Sequence, residues 1–231
     1  MIDQIRALGA YLSSPYLSKI PKKAERPVAM LFNLAAICVF TGIVAGMFSG
    51  ILVKAGLIPD PGPGVLDDNK ISKTAFYLGA VFFAPLLEES IFRAQLRRFS
   101  GSLIFIAFIC GAVLTAFTNT FWAFLISPPI FVILFVAYRY TLAGSVSRKY
   151  QFWERVFPWY FHFTAICFAL VHLSNFEKGI SLLPFGILYT LPQLAIGLIL
   201  GYARMNYGLK YSMALHALYN LSLMVLLLSR S

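Results

Sequence analysis

Val28–Val53 reads VAMLFNLAAICVFTGIVAGMFSGILV and carries no charged side chain. About 20 consecutive apolar residues reach across a bilayer as a helix, so this run predicts a membrane span. Working outward, similar runs occupy Thr74–Arg98, Leu103–Ile126, the stretch from Ser127 to about Ala143, Trp159–Leu173, Ile180–Tyr202 and Tyr211–Leu228. Ser127-Pro128-Pro129 reads as a tight break between two spans. The expectation is an all-α, polytopic transmembrane bundle of about seven membrane helices. Ile2, Ile5, Leu8 and Leu12 recur at helical spacing before Ser14-Pro15, which predicts a short N-terminal interfacial helix. The domain reading is an interfacial segment over 1–27 and a transmembrane domain over 28–231.

Composition agrees. The 231 residues are 59% hydrophobic and 12% charged, against about 25% charged in soluble domains. The net charge of +10 does not indicate nucleic-acid binding, because the basic residues fall in short stretches between apolar runs. Examples are Lys22-Lys23, Arg97-Arg98 and Arg148-Lys149. Placing these on one side gives a multi-pass protein of the cell membrane with its N-terminus in the cytoplasm. Ser147–Phe157, basic and aromatic, reads as an interfacial segment on that side. Cys38, Cys110 and Cys167 are scattered through apolar runs, form no CxxC pattern, and read as small buried apolar residues. No internal repeat favours a transporter built from duplicated halves.

Chemistry enters at Ala84-Pro85-Leu86-Leu87-Glu88-Glu89-Ser90-Ile91-Phe92-Arg93. Ionisable residues at membrane depth are costly and mark function. On a helix, Glu89 and Arg93 share a face and neutralise one another. Glu88 is turned about 100° away and has Phe92 as its own neighbour four residues on, so it is the carboxylate without a local partner. An apolar site beside another acid suits it to general-base work. Two histidine positions can complete a site: Phe168-Ala169-Leu170-Val171-His172, and His216 with Asn220 one turn later. His216 and Asn220 lie on one helix face, and two donors aimed at one point can hold an oxyanion. The same residues also read as polar clamps between helices. His162, with no partner pattern, reads as structural.

In order and on separate predicted helices, these are an EExxxR motif, an aromatic residue followed four later by histidine, and an HxxxN motif. The chain from about Thr74 onward resembles the CPBP group, also called Abi: the CAAX proteases and bacteriocin-processing enzymes of the membrane. The resemblance implies an intramembrane endopeptidase with a protease core over about 74–228. It implies Glu88 and His172 as activators of water, His216 and Asn220 as oxyanion stabilisers, and Glu89 and Arg93 as their support. It implies a peptide or protein substrate held among membrane lipids, a prenylated CAAX peptide in some members and a bacteriocin or signalling peptide precursor in others. No cofactor is expected, because His216 and Asn220 spaced by four suit an oxyanion site better than a metal. Zinc remains open, because Glu88, His172 and His216 supply the three ligands of a catalytic zinc site. A non-enzymatic immunity or scaffold protein and a proton-relaying transporter are the competing readings. One expectation strains the assembly. His172, about 13 residues into a helix starting at Trp159, lies about 10 Å deeper than Glu88 and His216 at 1.5 Å per residue.

Overall fold

The computed structural model describes residues 1–17, 21–64 and 73–228. Among these the chain is built of helices and contains no strand. Four helices are long and apolar enough to cross a membrane, or five when one bent pair counts as a span. The expected seven are not reached by that measure: the glutamate-bearing segment is not one helix, and Leu209–Leu228 is not among the spans counted.

The first helix, α1 (Ile2–Ser13), ends before Ser14-Pro15 and docks on the bundle through Leu8 and Tyr11. Tyr11 sits edge-on to Phe161 and Tyr202, and burial pushes its phenol pKa up. α2 (Pro27–Lys54) starts on a proline, whose missing N–H costs nothing in the first turn. It packs against the last two helices, and at Gly42 a Cβ would stand 3.0 Å from the Tyr219 hydroxyl.

The segment expected as one span over Thr74–Arg98 is broken into α3 (Lys73–Leu78), a π turn (Gly79–Phe83), α4 (Ala84–Phe92) and a 3₁₀ turn (Ala94–Arg97). Pro85 explains the break. It has no N–H to give, and the preceding Ala84 N–H bonds back five residues to Gly79 instead of four. On α4, Leu86 and Leu87 face outward while Glu89 and Phe92 are buried. Lipid-facing apolar residues and inward acids are what a membrane demands of such a helix. The far end of α4 is fastened by Arg204, whose guanidinium donates to the carbonyls of Arg93 (2.9 Å) and Ala94 (3.0 Å). A cation on terminal carbonyls is the favourable partner there.

Three further boundaries differ from expectation. α5 (Phe99–Thr118) ends at Asn119, whose φ of 50° is left-handed. A 3₁₀ turn (Phe121–Ile126) then leads directly into α6 (Ser127–Thr141). Pro128 and Pro129 therefore open a helix rather than break one, since their missing N–H groups fall in its first turn. Ser147–Phe157 is continuous with the span that follows it, forming the first half of α7 (Val146–Val171) rather than a separate segment. Trp153, Phe157, Phe161, Thr164 and Phe168 form one buried stripe through Pro158, while Glu154 and Arg155 lie on the exposed side. That stripe outweighs the proline and the charges. The run Ile180–Tyr202 is bent by 64°: a 3₁₀ stretch (Gly179–Phe185) and α8 (Gly186–Tyr189) meet α9 (Leu191–Asn206) at Pro192. The chain closes with α10 (Leu209–Leu228). Of the cysteines, Cys38 and Cys167 are buried and Cys110 is exposed.

α9 lies against α7 through Gly197 and Gly201. A Cβ at Gly201 would stand 2.6 Å from the Phe161 ring, and one at Gly197 would stand 2.9 Å from Phe168 and 3.2 Å from the Arg93 guanidinium. Small residues four apart let membrane helices approach this closely. The closeness brings α4, α7, α9 and α10 to one buried polar cluster.

Candidate active site

α4 supplies Glu88, Glu89 and Arg93, the end of α7 supplies Phe168 and His172, and α10 supplies Ser212, His216 and Asn220. The two adjacent glutamates have opposite surroundings. Glu89 is fully buried, whereas the Glu88 side chain is 27% exposed. Arg93 Nη1 forms an ion pair with Glu89 Oε1 at 3.4 Å. Its Nη2 donates to the Gly197 carbonyl at 3.2 Å. The guanidinium lies 3.8 Å from the centroid of the Phe168 ring, in cation–π range. His216 Nδ1 stands 3.1 Å from Glu89 Oε1, and the Ser212 hydroxyl bonds to Glu89 Oε2.

Hydrogen counting fixes the histidines. The Phe168 carbonyl can only accept, so His172 Nδ1, 2.7 Å away, carries the proton. Glu89, paired with Arg93, is a carboxylate acceptor, so His216 donates from Nδ1 as well. In the neutral rings both Nε2 atoms are then bare acceptors. Each stands 3.8 Å from Glu88 Oε2, which is buried and has no hydrogen-bond partner. Three acceptors converge with no hydrogen between them. The gap is too long for a direct hydrogen bond, and a water seated on the cavity side of these atoms can donate to two of them.

The depth offset expected for His172 is absent. It rested on a helix starting at Trp159 and on a straight span through Glu88, and neither exists. His172 is the first residue beyond α7, and Phe168, one turn before it, wedges its ring edge-on against both His172 and His216.

Asn220 is placed differently from His216. Its amide nitrogen donates to the Ala80 carbonyl at 2.7 Å. That carbonyl lies in the π turn. Its α-helical donor, Ala84 N–H, is diverted to Gly79, and its alternative, Pro85, has no hydrogen. Asn220 fills the vacancy with one amide hydrogen and keeps a second. Glu88, His172, His216 and Asn220 all line one cavity of about 440 Å³, along with Gln193 and Tyr219.

Sequence reading missed Ser212 and Gln193. Ser212 had a signal, since it lies four residues before His216 on the same face of α10. Gln193, whose Oε1 is buried and unpartnered, had none. Among the described residues, no set of three or more His, Cys, Asp or Glu side chains is arranged to hold a metal ion.

Residues 70–222 match the Rce1-like type II CAAX prenyl endopeptidase family. The chain belongs to this family. No curated protein and no solved structure matches it. As an Rce1-like protein it is a multi-pass membrane protein of a protease family. The family match takes in α4, α7, α9 and most of α10, and so every residue of the cluster around Glu88.

Proposed function

We propose that this Rce1-like chain hydrolyses a peptide bond with a water held between Glu88 and His172. The observation carrying this reading is the convergence of Glu88 Oε2 and two bare Nε2 atoms on one point of the cavity. Glu88 removes a proton as the water attacks the scissile carbonyl, while His172 Nε2 accepts the water's other hydrogen and orients it. His216 then takes the proton. An imidazole that already donates Nδ1–H to Glu89 can present an N–H at Nε2 only as the imidazolium, and Glu89 stabilises that cation as a triad carboxylate does. The cluster of Glu88, Glu89 and Arg93 carries one net negative charge, which a proton on His216 cancels. His216 Nε2–H and the second amide hydrogen of Asn220 face the oxyanion, and the imidazolium proton passes to the leaving amine.

Zinc was open from residue types alone. Glu88, His172 and His216 match the ligand types of catalytic zinc; the metal-free reading is supported by the absence, among the described residues, of three such side chains set to hold an ion. No step is derived through a metal. The substrate is a CAAX-type carboxy-terminal peptide carrying a prenyl chain that remains among the lipids, and no nucleic acid is involved. The N-terminus is cytoplasmic, which puts Arg97, Arg98 and Arg204 near the cytoplasmic face. The protease core spans about 74–228, with 1–27 as a docked interfacial segment.

The test is cleavage of a farnesylated CAAX peptide by the purified chain, compared with a bacteriocin-type leader peptide. The farnesylated peptide is expected to be cut three residues from its end, at a rate that a chelator leaves unchanged. No cleavage of either peptide overturns the protease reading. Loss of activity with chelator, restored by zinc, overturns the metal-free step.

A further inference from the structure

Ser212 sits in the first turns of α10, and its hydroxyl leaves its own helix. Helical serines commonly bond back to the carbonyl four residues earlier, as Ser90 does to Leu86 and Ser222 does to Leu218. Ser212 instead bonds to Glu89 Oε2 across the helix interface, and it also lies 2.9 Å from the Leu200 carbonyl of α9. It is fully buried, as is Glu89. Arg93 and His216 both engage Glu89 Oε1. Among the described residues, Ser212 is the partner of the other oxygen.

We infer that Ser212 is a positioning residue that locks the Glu89 carboxylate so that His216 keeps its Nδ1–H on Glu89 and its Nε2 on Glu88. Two contacts on Oε1 alone leave the carboxylate free to swing about its last torsion. The third contact, on Oε2, fixes its plane, and the plane fixes the imidazole. α10 therefore supplies a stack one turn apart: Ser212 sets Glu89, His216 faces Glu88, and Asn220 holds Ala80 of the π turn. The groups around His216 are Glu88, Glu89 and Arg93 from α4, Phe168 and His172 from the end of α7, and Ser212 and Asn220 from its own helix. Arg93 is a cation and His216 becomes one when it takes the proton, so among these side-chain partners of Glu89 Ser212 is the one that carries no charge at any stage.

This role rests on the protease reading for its kinetic consequence but not for its geometry, so two measurements separate them. Ser212→Ala, and the near-isosteric Ser212→Cys with its weak donor, are each expected to lower kcat on the farnesylated peptide by about 10–100-fold. KM is expected to stay within a few-fold. The second measurement is a histidine ¹⁵N spectrum of the substrate-free protein, which contains three histidines. The wild type is expected to show a strongly deshielded His216 Nδ1–H, hydrogen-bonded to a carboxylate. That signal shifts or exchanges away in both variants, while the His172 signal stays. Unchanged His216 resonances in both variants overturn the inference, and so does an unchanged kcat. A wild type that cuts nothing, with the spectral shift still seen in the variants, overturns the protease reading and leaves the role of Ser212 standing. If Ser212→Ala does not fold, Ser212→Cys carries both readouts.

Discussion

Glu88→Gln is expected to reduce kcat on a prenylated CAAX peptide by about 10²–10⁴-fold, the usual contribution of a general base, with no loss of thermal stability. Both halves follow from the same geometry. Glu88 Oε2 faces two bare imidazole nitrogens and has no hydrogen-bond partner of its own. The carboxylate is a cost to the folded chain, tolerated for what it does to water. A glutamine amide fits the same space, can donate to either Nε2, and cannot take a proton. The variant should fold, bind peptide with a KM near that of wild type, and fail to cut. Kinetics and a thermal midpoint on the same preparation check this. A Glu88→Gln protein with full activity removes Glu88 from the chemistry.

Glu89→Ala is expected to do the opposite, destabilising the protein by about 3–5 kcal/mol, the cost of breaking a buried pair from one side. The Arg93 guanidinium is 2% exposed. Once Glu89 is gone, it keeps the Gly197 carbonyl and the Phe168 ring but loses its paired carboxylate, and only the weaker influence of Glu88 is left. His216 Nδ1–H loses its acceptor at the same time, and the Ser212 hydroxyl keeps only the Leu200 carbonyl. Removing both charges is far milder than removing one, because well-packed apolar replacements of a buried pair are often neutral. The double variant Glu89→Leu/Arg93→Leu should therefore recover most of the lost stability while staying inactive, since His216 is no longer held. Thermal unfolding of the single and double variants in one detergent checks it. A single variant as stable as wild type means that Glu89 is not the charge on which the cluster is built.

The contrast between neighbouring glutamates was legible in the sequence to the extent that helical spacing can show it. Arg93 falls four residues after Glu89 and nothing charged falls four after Glu88. The structure adds what spacing within one helix cannot contain, namely which face of α10 meets which face of α4. His216 was expected to aim with Asn220 at a single point. It divides its ring between Glu89 and Glu88, while Asn220 turns to a carbonyl that Pro85 leaves open. Pro85 marks where such a vacancy can fall, but the shift of hydrogen-bond register by one residue, and the partner that meets it, come from packing. The apolar runs gave the bundle, because span length is a property of a single segment. The breaks were harder. Prolines at 128 and 129 start a helix and Pro158 lies inside one, and only their neighbours decide which. The long buried stripe of α7 was present in the sequence as Trp153, Phe157, Phe161 and Phe168. The surrounding charges on its exposed face disguised it.

The central claim is that a water at Glu88, and not Glu88 itself, attacks the peptide bond. A single turnover in H₂¹⁸O tests it, with enzyme in excess over the farnesylated peptide and the new carboxylate analysed by mass. Direct attack by water puts one ¹⁸O into the product on the first turnover and none into the protein. An unlabelled product carboxylate with ¹⁸O in Glu88 would mean that the glutamate is a covalent nucleophile, and would contradict the mechanism.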